Sequence, residues 1–451
     1  MTETLTRTLA RYAVGSSIAA MPPAMVERTK KIILDELACA YFCHRSAPGK
    51  LAANYALGLG GRAEARIYGS GRMAPAHYAA LANGTAGHGE EVDGAHVVGG
   101  HPGASIVHAS MGMAERQRVT GAELVNAVAL GYDIGTRLVT ACGGMFGIRD
   151  TRRLTSDFFY AYGCTAAAGR LLGLDEERMC HAFALVSFQS NGLYALFSEK
   201  RHISKSFCNG QFAFSGISAA LMAAAGLEGN EDILGSPDGL LAAWGVENGC
   251  DLLVEGLGER FAVAGANFKF FNAGYPIHTP VEAATHLMQE HGIAGTDIVR
   301  IEVGMPEHSM RVVDNRAMHN ICVQDMLAAT IAKGGLSLRD QPFPAILSSP
   351  LYQALRARIE VGVDPEINAE SPNGRGARVT LHTGDGRTVS HRVDSPRGHS
   401  LTGDVSWADL REKWQGNLGG CDVDEALALG ARLDALDDVG HLATVLGGVM
   451  S

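Results

Sequence analysis

Residues 83–105, NGTAGHGEEVDGAHVVGGHPGAS, gather three histidines, two glutamates and one aspartate among glycines, in a chain that is otherwise mostly aliphatic. Histidines and carboxylates so placed can bind a metal, move protons, or merely solvate a loop. His88, Asp93, His96 and His101 show none of the familiar ligand spacings, which makes a metal the weakest of the three readings. The glycines permit unusual backbone angles, and HPGAS runs straight into an apolar stretch, so His101 falls beside a helix N-terminus. That position disfavours an imidazolium and favours a bound anion. On the residues alone, acid–base chemistry and a solvated loop both stand.

Three further stretches put charge in suggestive places. In SEKRHISKSFCNGQFAFSG (198–216), Lys200, Arg201, His202 and Lys205 crowd in front of a small-residue helix. Either this is a solvated face, or Lys205 points into an anion pocket where desolvation lowers its pKa and suits it to acid–base work. In FKFFNAGYPIHTPVEAATHL (268–287), Lys269 precedes aromatic residues and His278 lies between prolines at a helix start. His278 is then either structural or part of a cleft between domains. In GIRDTRRLTSDFFYAYG (147–163), Arg149, Arg152 and Arg153 occupy a predicted loop, as surface charge or as a bidentate clamp for a carboxylate. No dinucleotide-binding glycine motif at the right spacing, no P-loop and no G-x-S-x-G elbow occurs, which weakens nucleotide and serine-hydrolase readings.

The elements that must position these groups are mostly helical. Pro22 and Pro23 open a helix whose Val26, Ile33, Leu37 and Ala40 share one face. Apolar spacing predicts further helices at about 75–87, 103–117, 120–141, 158–172, 176–195, 209–226 and 239–245. Several are rich in Ala and Gly, which lets helices approach closely. The character changes near residue 268. Helices are expected at about 279–291 and 322–334, with strands in DIVRIEVGMP, ARIEVGVDPEI, ARVTLHTGDG and RTVSHRVDSP, the last two joined through Gly384-Asp385-Gly386. The expected fold class is mainly α: a large all-helical domain over 1–267, completed by about 401–451, and a smaller α+β domain over 268–400.

Length and composition bound the rest. At 451 residues, two or three domains are expected, and 46% hydrophobic with 19% charged residues is globular composition. A net charge of −10 argues against nucleic acid as a partner, although a locally basic pocket is still allowed. No apolar run is long enough to span a bilayer and the N-terminus lacks a signal-peptide core, so no membrane partner and a cytoplasmic location are expected. The nine cysteines are odd in number and scattered, without C-x-x-C, as buried free thiols of a reducing compartment would be.

Taken in order, LDELACAYF, NGTAGHGEEVDG…HPGAS, TAAAGRLLGLD, KSFCNGQFAFSGISAALMAAAGLEGNEDIL, YPIHTPVEAA and ARVTLHTGDGRTV resemble the MmgE/PrpD family over nearly the whole chain. That family includes 2-methylcitrate dehydratase, cis-aconitate decarboxylase and iminodisuccinate epimerase. The resemblance implies a large helical domain built from both chain ends, a smaller α+β lid and a homodimer. The family's loop reads roughly H-x-x-D-x-D-D-T and then H-P. His88 and His101 match its two histidines and Asp93 its middle aspartate. Glu91 stands for its first aspartate, and Gly94 and Ala95 replace the following Asp and Thr. Its lysine maps onto Lys205 and its lid-junction histidine onto His278. A further histidine falls at Leu154, and no histidine occurs between His108 and His181.

The resemblance implies proton removal next to a carboxylate of a di- or tricarboxylic acid, with no metal or organic cofactor. Glu91, Asp93, His101, Lys205 and His278 are the expected catalytic groups. His88, Arg153, Lys200 and Lys269 are expected to hold the substrate. A hydro-lyase of the 2-methylcitrate dehydratase type is expected first and an epimerase second. A decarboxylase follows, and last a carboxylate-binding protein without turnover. Loss of the histidine and the Thr hydroxyl weighs more against dehydration and decarboxylation than against epimerisation, which has no leaving group to protonate.

Overall fold

The computed structural model describes residues 4–189, 191–246, 250–338, 344–371 and 373–447. Its buried apolar side chains form two large clusters. One begins at Leu9, runs to Phe268, takes in Leu338, and resumes from Val405 to Leu446. The other runs from Phe271 to Leu381. Helices Ala76–Gly87, Pro102–Gln117, Gly121–Ala141, Tyr160–Leu172 and Ser204–Ala224 pack on one another to make the first core, and the fold is mainly α.

The helical part also contains short antiparallel pairs, Ala65–Ile67 with Arg72–Ala74 and Ala95–His96 with Ala266–Asn267, so it is not wholly helical as expected. Helices Leu5–Gly15 and Ala47–Leu59 add to those predicted; Thr4 and Ser46 start them by accepting backbone N–H bonds from Arg7 and Gly49. The helix expected over 176–195 ends at Val186, where the Ser187 hydroxyl turns back to donate to the Ala184 carbonyl. Arg149 and Arg152 are not in a loop. They lie in helix Gly144–Arg152, entered through left-handed Gly143 and left through left-handed Arg153.

One close approach sets the position of the charged groups. A Cβ on Gly210 would lie 2.2 Å from the Leu81 carbonyl oxygen and 2.3 Å from the Thr85 hydroxyl. Helix Ser204–Ala224, which carries Lys205 in its first turn, therefore touches the backbone of helix Ala76–Gly87, which His88 follows. Gly210→Ala is expected to cost roughly 1–3 kcal/mol or more through overpacking, and to reduce activity by parting Lys205 from His88. An unchanged denaturation midpoint together with unchanged turnover would show that the two helices separate freely.

The second core sits under a four-stranded sheet in the order 359–363, 298–305, 377–383, 388–393; only the first pair is parallel. Strand Ala377–Thr383 buries alternate residues (Ala377, Val379, Leu381 and Thr383), as a half-covered strand should. Helices His278–His291 and Val323–Lys333 supply that cover through Ala283, Ala284, Leu287, Met326 and Leu327. Among the described residues no helix is long and apolar enough to cross a membrane, and no disulfide joins the described cysteines.

Candidate active site

The loop between the helix ending at Gly87 and the one starting at Pro102 is held from three sides. Its residues Ala95 and His96 pair with Asn267 and Ala266. A Cβ at Gly94 would lie 2.6 Å from the Asn267 carbonyl oxygen, so the close pairing excludes a side chain there. From below, Glu36 Oε1 accepts the Gly94 N–H at 2.9 Å. From the returning C-terminal segment, Lys413 Nζ donates to Asp35 at 2.8 Å and to the Val92 carbonyl at 3.2 Å. Glu91 has φ 58°, a left-handed conformation that a side chain rarely adopts and that costs roughly 1–3 kcal/mol unless its surroundings enforce it.

Those surroundings are electrostatic. The buried Glu91 carboxylate accepts from Lys205 Nζ on Oε1, from His202 Nε2 at 2.8 Å on the same oxygen, and from Lys269 Nζ at 2.9 Å on Oε2. Lys269 also donates to the Glu91 carbonyl at 3.1 Å. Burial disfavours the Glu91 charge, but Lys205 and Lys269 outweigh it and hold its pKa well below the ordinary carboxylate range. Burial likewise opposes the Lys205 ammonium, and Glu91 more than offsets it, so the Lys205 pKa is raised. The depressed lysine pKa expected from burial alone is therefore wrong; the counter-charge decides the sign.

Lys205 Nζ also donates to His88 Nε2 at 2.5 Å, and His88 Nδ1 donates to Asp93 at 2.9 Å. Burial drives the His88 pKa well down, consistent with a neutral ring that accepts on one nitrogen and donates on the other. The His101 ring lies against His88, tilted by 55° with ring centres 4.2 Å apart. Its Nδ1 lies 3.0 Å from the Gly94 carbonyl and 3.1 Å from Asp93 Oδ2, both acceptors, so Nδ1 carries the proton and Nε2 keeps its lone pair. The His101 backbone N–H donates to Asp157 Oδ1 at 2.7 Å.

A cleft opens between these groups and the second core. Its wall carries Glu91, His101 and Lys205 on one side and Arg149, Tyr275 and Arg375 from more distant segments. Ala95 and Leu154 add apolar surface to it. One ligand atom from each of His88, Glu91 and His101 would fit within 4.8 Å of the others, as in a metal site. The Lys205 ammonium already donates to His88 and Glu91 there, so an entering cation would meet a positive charge and two occupied acceptors.

The structure thus brings together Glu91, Asp93, His101, Lys205, His88 and Lys269. It gives some of them different surroundings from those expected. Lys269 is fully buried behind Glu91 as its counter-ion and does not line the cleft. His278 is fully buried, stacked on Phe271 at 4.0 Å, with Nε2 toward the Ala273 carbonyl at 3.3 Å. It too is off the wall. Arg153 and Lys200 are exposed and outside the cleft: Arg153 follows the last helical turn, and Lys200 precedes the helix that carries Lys205 inward. His96 spends both ring nitrogens on the Ala262 carbonyl and the Val98 N–H. Asp157, Tyr275 and Arg375 escape sequence reasoning, and His202 shows there only as part of a charge run. The one available signal for Asp157 is its place at a helix start.

The family model described as the MmgE/PrpD N-terminal domain matches residues 7–251, and that described as the MmgE/PrpD C-terminal domain matches residues 271–429. The chain belongs to the MmgE/PrpD family. Its relatives include cis-aconitate decarboxylase of Homo sapiens, 23% identical over 475 residues that cover 99% of this chain and 95% of the relative. Cis-aconitate decarboxylase of Aspergillus terreus is 23% identical, covering 87% and 85%, and that of Mus musculus is 22% identical, covering 99% and 94%. Of the four positions where this chain departs from the pattern that the resemblance implies, Glu91, Ala95 and Leu154 lie in the cleft wall, and Gly94 is packed behind it against Asn267. Leu154 is pinned in the wall by a β-bridge to Leu193.

Proposed function

We propose that this MmgE/PrpD enzyme removes a proton from the carbon next to a carboxylate of a di- or tricarboxylic acid. One observation carries the reading: His101, with Nδ1 committed to the Gly94 carbonyl, turns Nε2 away from that bond in a wall that it shares with the Lys205 ammonium. Nε2 takes the carbon proton, and negative charge develops on the adjoining carboxylate. Lys205, fixed by Glu91 and His88, stabilises that charge without having to move. Asp93 steadies the imidazolium that forms.

The finer reading is a hydro-lyase. The Lys205 ammonium stabilises the enediolate and can give a proton to the departing hydroxyl, which then leaves as water. Cis-aconitate, named in the relatives, is the kind of unsaturated acid that dehydration of a hydroxy-tricarboxylate yields. The relatives' name favours decarboxylation as a second outcome, and the apolar Ala95 and Leu154 favour epimerisation as a third. A panel of hydroxy-di- and tricarboxylates with cis-aconitate, incubated in deuterated water and followed by NMR, separates them. A conjugated alkene from a hydroxy acid supports dehydration, and loss of carbon dioxide replaces it with decarboxylation. Deuterium with stereochemical scrambling and no alkene replaces it with epimerisation. If no acid in the panel exchanges or reacts, the proton-transfer reading falls.

A further inference from the structure

The wall of the cleft contributed by more distant segments holds more unpaired hydrogen-bonding capacity than a monocarboxylate attached at Lys205 could use. Arg375 precedes the strand Ala377–Thr383, and no carboxylate is among the groups that shift its titration. Its Nη1 donates to the Ser309 hydroxyl at 3.2 Å and to the Gly374 carbonyl at 3.5 Å, which leaves the Nε and Nη2 edge of the fork for another acceptor. The segment is fixed in place: the Thr279 hydroxyl donates to the Arg375 carbonyl at 2.5 Å, and Ser309 donates to the Gly374 carbonyl at 2.8 Å. Burial pushes the Arg375 pKa down to about 10, with nearby Arg149 adding to the effect, so it stays a cation at neutral pH.

Arg149 comes from a different helix and meets Arg375 around one aromatic ring. The two guanidinium carbons lie 5.0 Å and 5.3 Å from the centre of the Phe146 ring. Arg149 is oriented by Asp150 at 2.7 Å and by His308 Nδ1 at 2.8 Å, with the Tyr194 phenol also against it, yet its buried Nη1 meets no acceptor at hydrogen-bond distance. The Tyr275 hydroxyl is buried and also without a partner. Two like charges and a phenol are thus gathered on one wall, with the partly exposed Asp150 carboxylate beside Arg149. Like charges so close, with donors unsatisfied, are costly unless an anion sits between them.

We infer that Arg149, Arg375 and the Tyr275 hydroxyl form a second carboxylate subsite, which holds an acid group of the substrate remote from the reacting carbon and so selects di- and tricarboxylates over monocarboxylates. The inference rests on the carboxylate reading above and adds the residues that set its specificity. Phe146 fixes the spacing of the two forks by lying against both. A carboxylate accepts a bidentate fork from Arg375, while Arg149 Nη1 and the phenol reach its remaining lone pairs.

The test is calorimetric titration of the full chain with propane-1,2,3-tricarboxylate, which has neither a hydroxyl nor an alkene to lose, and with butyrate. Arg375→Met is expected to weaken tricarboxylate binding roughly 30-fold while changing butyrate binding less than about threefold. Arg375→Lys, which keeps the charge and loses the fork, should fall between, and Tyr275→Phe should weaken the tricarboxylate by about five- to tenfold. Should Arg375→Met fail to fold by circular dichroism, the Lys and Phe variants decide the matter in the same way. Wild-type affinity for the tricarboxylate in these variants overturns the second subsite and leaves the carboxylate reading intact. Equal weakening for both acids also overturns it, since Arg375 would then hold the first carboxylate. A wild-type protein that binds neither acid overturns both readings.

Discussion

His101→Gln is expected to lower kcat/KM by about 10²–10⁴-fold on whichever acid proves to be the substrate, the range typical of a lost general base. Binding of a substrate analogue should change only a few-fold. The reason lies in how the ring is held. Its Nδ1 faces the Gly94 carbonyl and Asp93, and its backbone N–H faces Asp157, so the side chain is spent on orienting one free lone pair. A glutamine amide in its place could still donate to the Gly94 carbonyl but could not accept a proton. Steady-state kinetics alongside analogue titration separates the two roles. A variant with unchanged kcat would move the base elsewhere in the wall, while one with unchanged kcat and a raised KM would make His101 a substrate ligand.

Glu91→Gln should show the largest effect on stability. It removes the one negative charge shared by Lys205 and Lys269, both buried, and leaves two ammonium groups facing a neutral amide. Uncompensated buried charge of this kind costs about 3–5 kcal/mol. The pH dependence gives a second readout. Because the folded Glu91 pKa lies well below its ordinary value of about 4.5, its stabilisation is fully present above that pH. It is lost as pH falls through the folded pKa. The gap between wild type and variant in denaturant titrations should therefore be widest near neutrality and narrow in acid. A gap that instead widened in acid would mean that Glu91 is protonated in the fold and that the lysines are neutralised by something else.

How much of this is legible in the sequence depends on where each group comes from. The loop holding His88, Glu91, Asp93 and His101 can be read because its polar residues sit together in the chain, and order along the chain links them to Lys205. The strands around the 384–386 turn are legible because one face alternates. What the sequence hides is direction. Arg149 and Arg153 share one short stretch, but only a helix that begins at Gly144 turns Arg149 inward and leaves Arg153 on the outside at the helix end. Lys200 and His202 are two residues apart, yet His202 reaches Glu91 while Lys200 is solvated. Lys269 and His278 lie near the cleft by sequence but behind it in space, because neighbouring charges and aromatic rings bury them. Arg375 and Tyr275 carry no local pattern at all; they become a pair only when the sheet packs against its helices.

Ala95 and Leu154 shape the cleft but take no part in the charged lattice beneath it. Their replacement changes volume and polarity where substrate lies without removing a counter-ion from Lys205 or Lys269. A fold arranged this way can drift between reactions at low risk, since the positions that tune selectivity are uncoupled from those that keep the protein folded. The lattice around Glu91 holds the loop in place, and the two apolar wall residues can change without disturbing it.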